Sequence, residues 1–144
     1  MVAAPTATDK FDLRPDDILG AILAIAEEQN EKEGSKRFAF RGHDSDLQEL
    51  FSELVQEFNE PLMRRFVFSD KGPMPYSPIL SDAVSKLQLC GFVGRENPDY
   101  EILFVRPAAV NYFESVIKKR LSKDQIEVLQ RVAGVFKSKV TPVP

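Results

Sequence analysis

Residues 72–105 read GPMPYSPILSDAVSKLQLCGFVGRENPDYEILFV, and this stretch decides the fold that the sequence predicts. Ser77 is a favourable helix cap, and Pro78 suits the first helical position. Ile79, Leu80, Ala83, Val84 and Leu87 are expected to form the inward stripe at helical spacing, and Gly91 is typical of a helix end. The first half of the stretch therefore predicts a short amphipathic helix.

The second half of the stretch predicts a β-hairpin. Two strand-like runs, residues 92–96 and 100–105, lie on either side of Asn97, Pro98 and Asp99. A polar segment that contains proline and separates two such runs is typical of a turn. We therefore expect the helix to lead into two antiparallel strands.

The rest of the chain predicts four more helices and two short strands. Apolar residues at helical spacing indicate the helices, and alternating phenylalanines in RFAFR and RRFVFS indicate the strands. Asp44 or Ser45 is expected to cap one helix, and Ser122 with Gln125 forms the pattern of a capping box for the last. The predicted elements are helix 15–29, strand 37–41, helix 44–59, strand 64–69, a helix from 107 and a helix from 122.

The first predicted helix is apolar over more of its surface than one buried stripe requires. Ile18, Ile22 and Ile25 belong to this wide apolar face. Two interpretations follow: the helix lies in the centre of the core, or it forms a contact between two copies of the chain.

Length and composition predict one soluble domain, and the predicted helices and short strands place it in the α+β class, mostly helical. The chain has 144 residues, a usual size for one domain, and its 43% hydrophobic and 28% charged residues argue against wholesale disorder. We expect the domain to span residues 11–139, after a flexible segment at 1–10 and before a loose tail at 140–144.

The net charge indicates the class of partner, and the cysteine content indicates the cellular compartment. The net charge of −3 and the pI of about 5.3 disfavour polyanions unless basic residues cluster locally, so protein partners are favoured. The single cysteine cannot form an internal disulfide, which predicts a cytoplasmic location. The longest apolar run, residues 18–26, is well short of the roughly 20 residues that a membrane span needs, so no membrane association is expected.

No catalytic or metal-binding pattern is found in the sequence. Cys90 lies at a predicted helix end and is expected to be a small buried side chain, and His43 is expected to be an exposed turn residue. One cysteine and one histidine cannot form a structural zinc site, and no glycine-rich phosphate loop is found. The sequence therefore predicts a protein that is not an enzyme and that uses no cofactor or metal.

The order helix, strand, helix, helix, hairpin resembles the winged helix-turn-helix superfamily over about residues 15–105. The run GPMPYSPILSDAVSKLQLCGF also has a faint local similarity to small bacterial regulators and antitoxin-type domains. The resemblance implies a winged-helix-like core with a β-hairpin wing at residues 95–99, and two C-terminal helices as an appended extension. It also implies that the helix after Ser77 is the recognition helix.

The outward surface of this helix has little positive charge. Rotation by 100° per residue places Pro78, Asp82, Ser85 and Leu89 outward, with Lys86 on the flank. Neutralising phosphates takes several basic residues acting together, so protein contact is favoured over DNA.

Two functional hypotheses follow. The first is a non-enzymatic winged-helix-like regulatory module that forms a homodimer or binds another protein, and the alternative is a DNA-binding transcriptional regulator, such as an antitoxin-like autoregulator. The candidate partner-binding residues are Ile18, Ile22, Ile25, Asp82, Ser85 and Leu89. The candidate nucleic-acid-binding residues are Arg41, Arg64, Arg65, Lys86 and Arg95.

Overall fold

The computed structural model describes residues 13–34, 38–69, 71–96 and 102–140, which form a mostly helical α+β fold. The elements are α1 (Pro15–Lys32), β1 (Ala39–Arg41), α2 (Asp44–Glu57), a 3-10 turn (Met63–Arg65), α3 (Pro78–Leu89), β2 (Val93–Glu96), β3 (Ile102–Val105), α4 (Pro107–Tyr112) and α5 (Lys123–Lys139). A π-helical turn (Phe113–Ile117) and a 3-10 turn (Lys118–Arg120) continue α4.

Helix α1 lies in the centre of the core. It packs against α3, α4 and α5, which explains why its apolar face is so wide. Ile18, Ile22 and Ile25 are buried by the chain itself, with exposed fractions of 0%, 0% and 4%. Of the two interpretations of this helix, the core position is the one observed.

The three strands form an antiparallel sheet in the order β1-β3-β2. The predicted hairpin is confirmed, since Val93 pairs with Val105 and Glu96 with Ile102. The first predicted strand is also confirmed, because β1 pairs with β3 and places Phe40 opposite Leu103. The proposed turn at residues 97–99 lies outside the described residues, as do the segments 1–10 and 141–144.

The second predicted strand, residues 64–69, is wrong. The segment begins in the 3-10 turn, and Ser69 alone pairs, through an isolated bridge to Tyr76. Phe66 is buried with its ring 5.6 Å from that of Phe51 on α2. Alternating phenylalanines show which side chains face inward, but a ring contact with a helix satisfies that pattern without a neighbouring strand.

Helix α5 completes the core. The predicted capping box is confirmed: the Gln125 N–H donates to Ser122 Oγ at 3.1 Å, and the Ser122 N–H donates to Gln125 Oε1 at 2.9 Å. Phe136 is fully buried, with ring centroids 5.2 Å from Phe40 and 5.7 Å from Phe51. The interpretation of α5 as an appended extension is therefore corrected, because its Phe136 ring packs in the interior against Phe40 of β1 and Phe51 of α2.

Candidate protein-interaction surface

Exposed apolar side chains concentrate in one part of the chain. Among the residues that the structure describes, five large apolar side chains are well exposed, and all of them lie between residues 67 and 89. Isolated exposed apolar residues are ordinary, so it is their concentration in one segment of the described chain, on and just before α3, that makes this segment the candidate interaction site. We call this group the apolar surface: Val67 (64% exposed), Met74 (40%), Tyr76 (45%), Ile79 (37%) and Leu89 (87%).

A buried amide fixes the start of α3 against α2. Gln48 Oε1 accepts from the Ser77 N–H at 2.7 Å, and Gln48 Nε2 donates to the Ser77 carbonyl at 3.0 Å. The same Nε2 donates to Ser81 Oγ at 2.9 Å, so α3 is held at both its cap and its first turn. Ser77 Oγ accepts from the Leu80 N–H at 3.2 Å, which confirms the predicted cap.

The connection before α3 is also held in place by backbone hydrogen bonds. The N–H of Ser69 donates to the Tyr76 carbonyl at 2.8 Å, and the N–H of Tyr76 donates back to the Ser69 carbonyl at 3.0 Å. Directly opposed residues of an antiparallel pair project their side chains to the same side. The two hydrogen bonds therefore fix the backbone of Tyr76, whose exposed ring lies just before the start of α3.

Helix α3 separates an inward stripe from an outward stripe. Leu80, Ala83 and Leu87 are buried. The outward stripe consists of Ile79, Asp82, Lys86 and Leu89, all of them exposed. Lys86 Nζ lies 3.1 Å from Asp82 Oδ2, so the two charges of the stripe pair with each other. Ser85 is exposed beside the stripe.

Arg95, a candidate for nucleic-acid binding, forms hydrogen bonds within the chain. Its Nε donates to Gln88 Oε1 at 3.2 Å and its Nη1 to the Gly42 carbonyl at 3.3 Å. Partial burial lowers the pKa of Arg95 from its usual value, and the charge of Asp44 opposes that effect. These contacts join β2 to the end of α3 and to the loop before α2.

The other predicted basic residues lie in separate environments. Arg65 Nη1 donates to the Leu13 carbonyl at 2.6 Å, which attaches the 3-10 turn to the start of the described chain. Arg41 lines an open groove of about 500 Å³ together with three carboxylates, Asp46, Glu49 and Glu53, and with Lys139. Arg64 is exposed, whereas Lys86 is paired as described above.

Two single residues differ in part from their predictions. His43 is exposed as expected, but it is itself the cap of α2, because its Nδ1 accepts from the Ser45 N–H at 3.4 Å. Cys90 is exposed rather than buried, since α3 ends there at the surface of the molecule. Within the described ranges, no group of three or more potential metal-ligating side chains is found.

Gln48 is the residue that sequence reasoning missed. It precedes Phe51 by three positions and Val55 by seven, so the helical spacing of α2 places it on the same face as these side chains. A polar residue on an inward face has to find hydrogen-bond partners when it is buried. That pattern was present in the sequence, but the partners on α3 were not visible in it.

Comparison with known proteins adds no relative. No family model, curated protein or solved structure matches the chain. In the part of the chain that the structure describes, none of the helices combines the length and apolar character needed to cross a bilayer. The chemistry of the surface itself therefore has to support a functional conclusion.

Proposed function

We propose that this protein is a non-enzymatic, winged-helix-like interaction module that binds protein through the apolar surface on and before α3. The order α1, β1, α2, α3, β2, β3 supports the architectural part, because it is the order on which the resemblance to winged helices depends. Folds host many functions, so the surface has to support the functional part.

The concentration of exposed apolar side chains carries the proposal. Burying large apolar groups stabilises a protein interface, and interfaces are enriched in tyrosine, methionine and similar side chains. Leu89, which is 87% exposed at the end of α3, is the most exposed of the five. The hydrogen bonds of Gln48 hold the start of this surface rigidly, which reduces the entropy lost on binding.

The same surface is unsuited to a phosphate backbone. The outward stripe of α3 has one acid and one base, paired at 3.1 Å. Phosphate binding relies on several basic groups that are available together. Arg65 and Arg95 donate to groups within the chain, so they also have fewer donors to offer a duplex.

Site-specific photocrosslinking in cells tests the proposal. A photoreactive phenylalanine analogue replaces Tyr76 or Leu89, and a control replaces the exposed Glu127 on α5. We expect protein crosslinks from positions 76 and 89 but not from 127. Once the crosslinked protein is identified and purified, it should bind the wild-type chain. Its affinity for the Leu89→Ser variant should be at least about tenfold lower.

Titration with fluorescent duplex DNA at low salt tests the opposing function. We expect no saturable binding by the wild-type chain. Binding that weakens steeply with salt and that is lost in Arg64→Ala with Arg65→Ala would contradict the proposal, because that behaviour indicates contacts to phosphates.

A further inference from the structure

The outward stripe of α3 has the spacing of a helix-pairing seam. Ile79, Asp82, Lys86 and Leu89 follow one another at intervals of three, four and three residues. This is the a, d, a, d spacing by which two helices pack along each other. The stripe is exposed along its length, so a second helix can lie against it.

The seam is complementary to itself when two copies run antiparallel. Ile79 and Leu89 are equally far from Val84, on opposite sides, and so are Asp82 and Lys86. A two-fold axis on the seam side of the helix, at the height of Val84 along the helix axis, therefore places Ile79 of one copy opposite Leu89 of the other. The same operation places Asp82 opposite Lys86 of the second copy, so both apolar ends and both charges find suitable partners.

We propose that the occupant of this seam is a second copy of the chain, packed through α3 in an antiparallel, two-fold symmetric dimer. This inference rests on the proposed function and specifies its partner. Two-fold contacts are the commonest way in which a chain associates with itself, and they require a self-complementary surface of this kind.

Charge complementarity favours a second copy over an unrelated helix. The two ion pairs between Asp82 and Lys86, one within each copy, can be exchanged for two ion pairs between the copies, and no charge is left unpaired. At each end of the seam, the exposed Leu89 of one copy lies opposite Ile79 of the other copy. The exposed Tyr76 precedes Ile79 closely in the chain.

The dimer is expected to be weak and dependent on concentration. A helix of 12 residues is about 18 Å long, so this contact is smaller than a standard interface of roughly 1,600 Å². A dissociation constant of about micromolar or weaker is the corresponding expectation. Sedimentation velocity across a range of protein concentrations measures it.

Charge reversal with complementation is the decisive test. Asp82→Lys leaves two bases in the seam, and Lys86→Asp leaves two acids, so each variant repels its own copy. We expect the dimer dissociation constant of each variant alone to be at least about tenfold higher than that of the wild type. An equimolar mixture of the two should form a heterodimer, because every Lys then faces an Asp of the other chain.

Lys123→Asp is the control. It reverses the charge of an exposed residue at the start of α5, outside the seam. It should dimerise as the wild type does, and thermal unfolding should show that all four proteins are folded.

Three outcomes would overturn the proposal: a wild-type chain that stays monomeric up to about millimolar concentration, variants that dimerise as well as the wild type, or a mixture that associates no better than its components. A monomeric wild type that still crosslinks from position 89 to a different protein would reject the dimer and leave the proposed function standing.

Discussion

One buried side chain, that of Gln48 on α2, holds the start of α3, the helix that carries part of the candidate surface. It is 2% exposed, and its oxygen and nitrogen are both used, by Ser77 and Ser81. A buried amide with satisfied partners specifies one arrangement, because any shift leaves polar groups without hydrogen bonds.

Replacement of Gln48 by Leu should destabilise the fold. The substitution leaves the buried N–H of Ser77 without its acceptor, at a cost of about 1–3 kcal/mol in the free energy of unfolding. Urea denaturation measures the change, and Gln56→Leu, at an exposed position of the same helix, is the control. Equal losses in the two variants would show that the amide has no special role.

A pair of carboxyl groups, Glu28 on α1 and Glu114 in the π-helical turn, links these two elements. Burial is the main cause that raises the pKa of Glu28, to about 7, and the hydrogen bond and charge of Glu114 add to it. The pKa of Glu114 is lowered, chiefly by its hydrogen bond with Glu28 and also by Lys118. Glu28 therefore holds the shared proton.

This pair should make stability depend on pH in a defined direction. Between the ordinary pKa of 4.5 and the folded value of about 7, Glu28 binds more protons in the folded chain than in the unfolded chain. The free energy of unfolding therefore falls as pH rises through this window. The lowered pKa of Glu114 has its effect below 4.5, outside the window.

Glu28→Gln should remove this fall, because an amide can donate to Glu114 at every pH. The difference should be less than about 1 kcal/mol, since Glu28 is only partly buried and Glu114 is exposed, so that solvent screens the pair. Urea denaturation at several pH values measures it, with Glu31→Gln, exposed on the same helix, as the control. A slope that is the same in wild type and Glu28→Gln would reject the mechanism.

At the scale of elements, strand β2 depends on a glycine under an aromatic ring. Gly94 pairs with Phe104 of β3, and a Cβ at Gly94 would lie 2.4 Å from the Phe104 ring. The guanidinium of Arg106 lies 5.0 Å from the centre of the same ring. The ring thus fits its place because residue 94 has no side chain.

Two glycine substitutions should change stability in opposite directions. Gly94→Ala forces Phe104 to move and should destabilise by about 1–3 kcal/mol. Gly134→Ala lies within α5, where the added Cβ meets nothing within 4 Å, and should stabilise by about 0.5–1 kcal/mol. Thermal unfolding of both variants measures the effects. A stabilised Gly94→Ala would contradict the observed register of β2 and β3.

At the scale of the whole molecule, Phe136 joins parts of the chain that are far apart in sequence. Its ring contacts the rings of Phe38, which precedes β1, Phe40 in β1, and Phe51 on α2. The last helix is therefore needed for the core that supports α3, although it contributes nothing to the candidate surface.

Phe136→Ala should destabilise by about 3–5 kcal/mol, because it removes a fully buried ring and leaves a cavity. Phe92→Ala, which removes a half-buried ring stacked 5.2 Å from Tyr112, should cost clearly less. Urea denaturation with a folded-state probe ranks the two. The opposite order would mean that α5 is not part of the cooperative core.

Prediction from sequence succeeded for the elements and only in part for the surface. The helix after Ser77, the hairpin and the capping box at Ser122 were all predicted, because each depends on residues that are close together in the chain. Asp82, Ser85 and Leu89 were placed outward by helical geometry, and all three are exposed. Ile79 was predicted to face inward, but it is exposed. The exposed apolar side chains before α3 were not predicted, since exposure in a loop has no periodic pattern.

The sequence by itself determined the helices and the hairpin to within a few residues, because caps, prolines, glycines and apolar spacing act locally, whereas the strand predicted at residues 64–69 does not form. Only the tertiary structure decided which apolar faces remain open. Ile22 is covered by other elements of its own chain, Leu89 is not, and Arg65 and Arg95 use their donors internally. Burial and long-range pairing depend on residues that meet only after folding, such as Gln48 with Ser77 and Phe40 with Phe136.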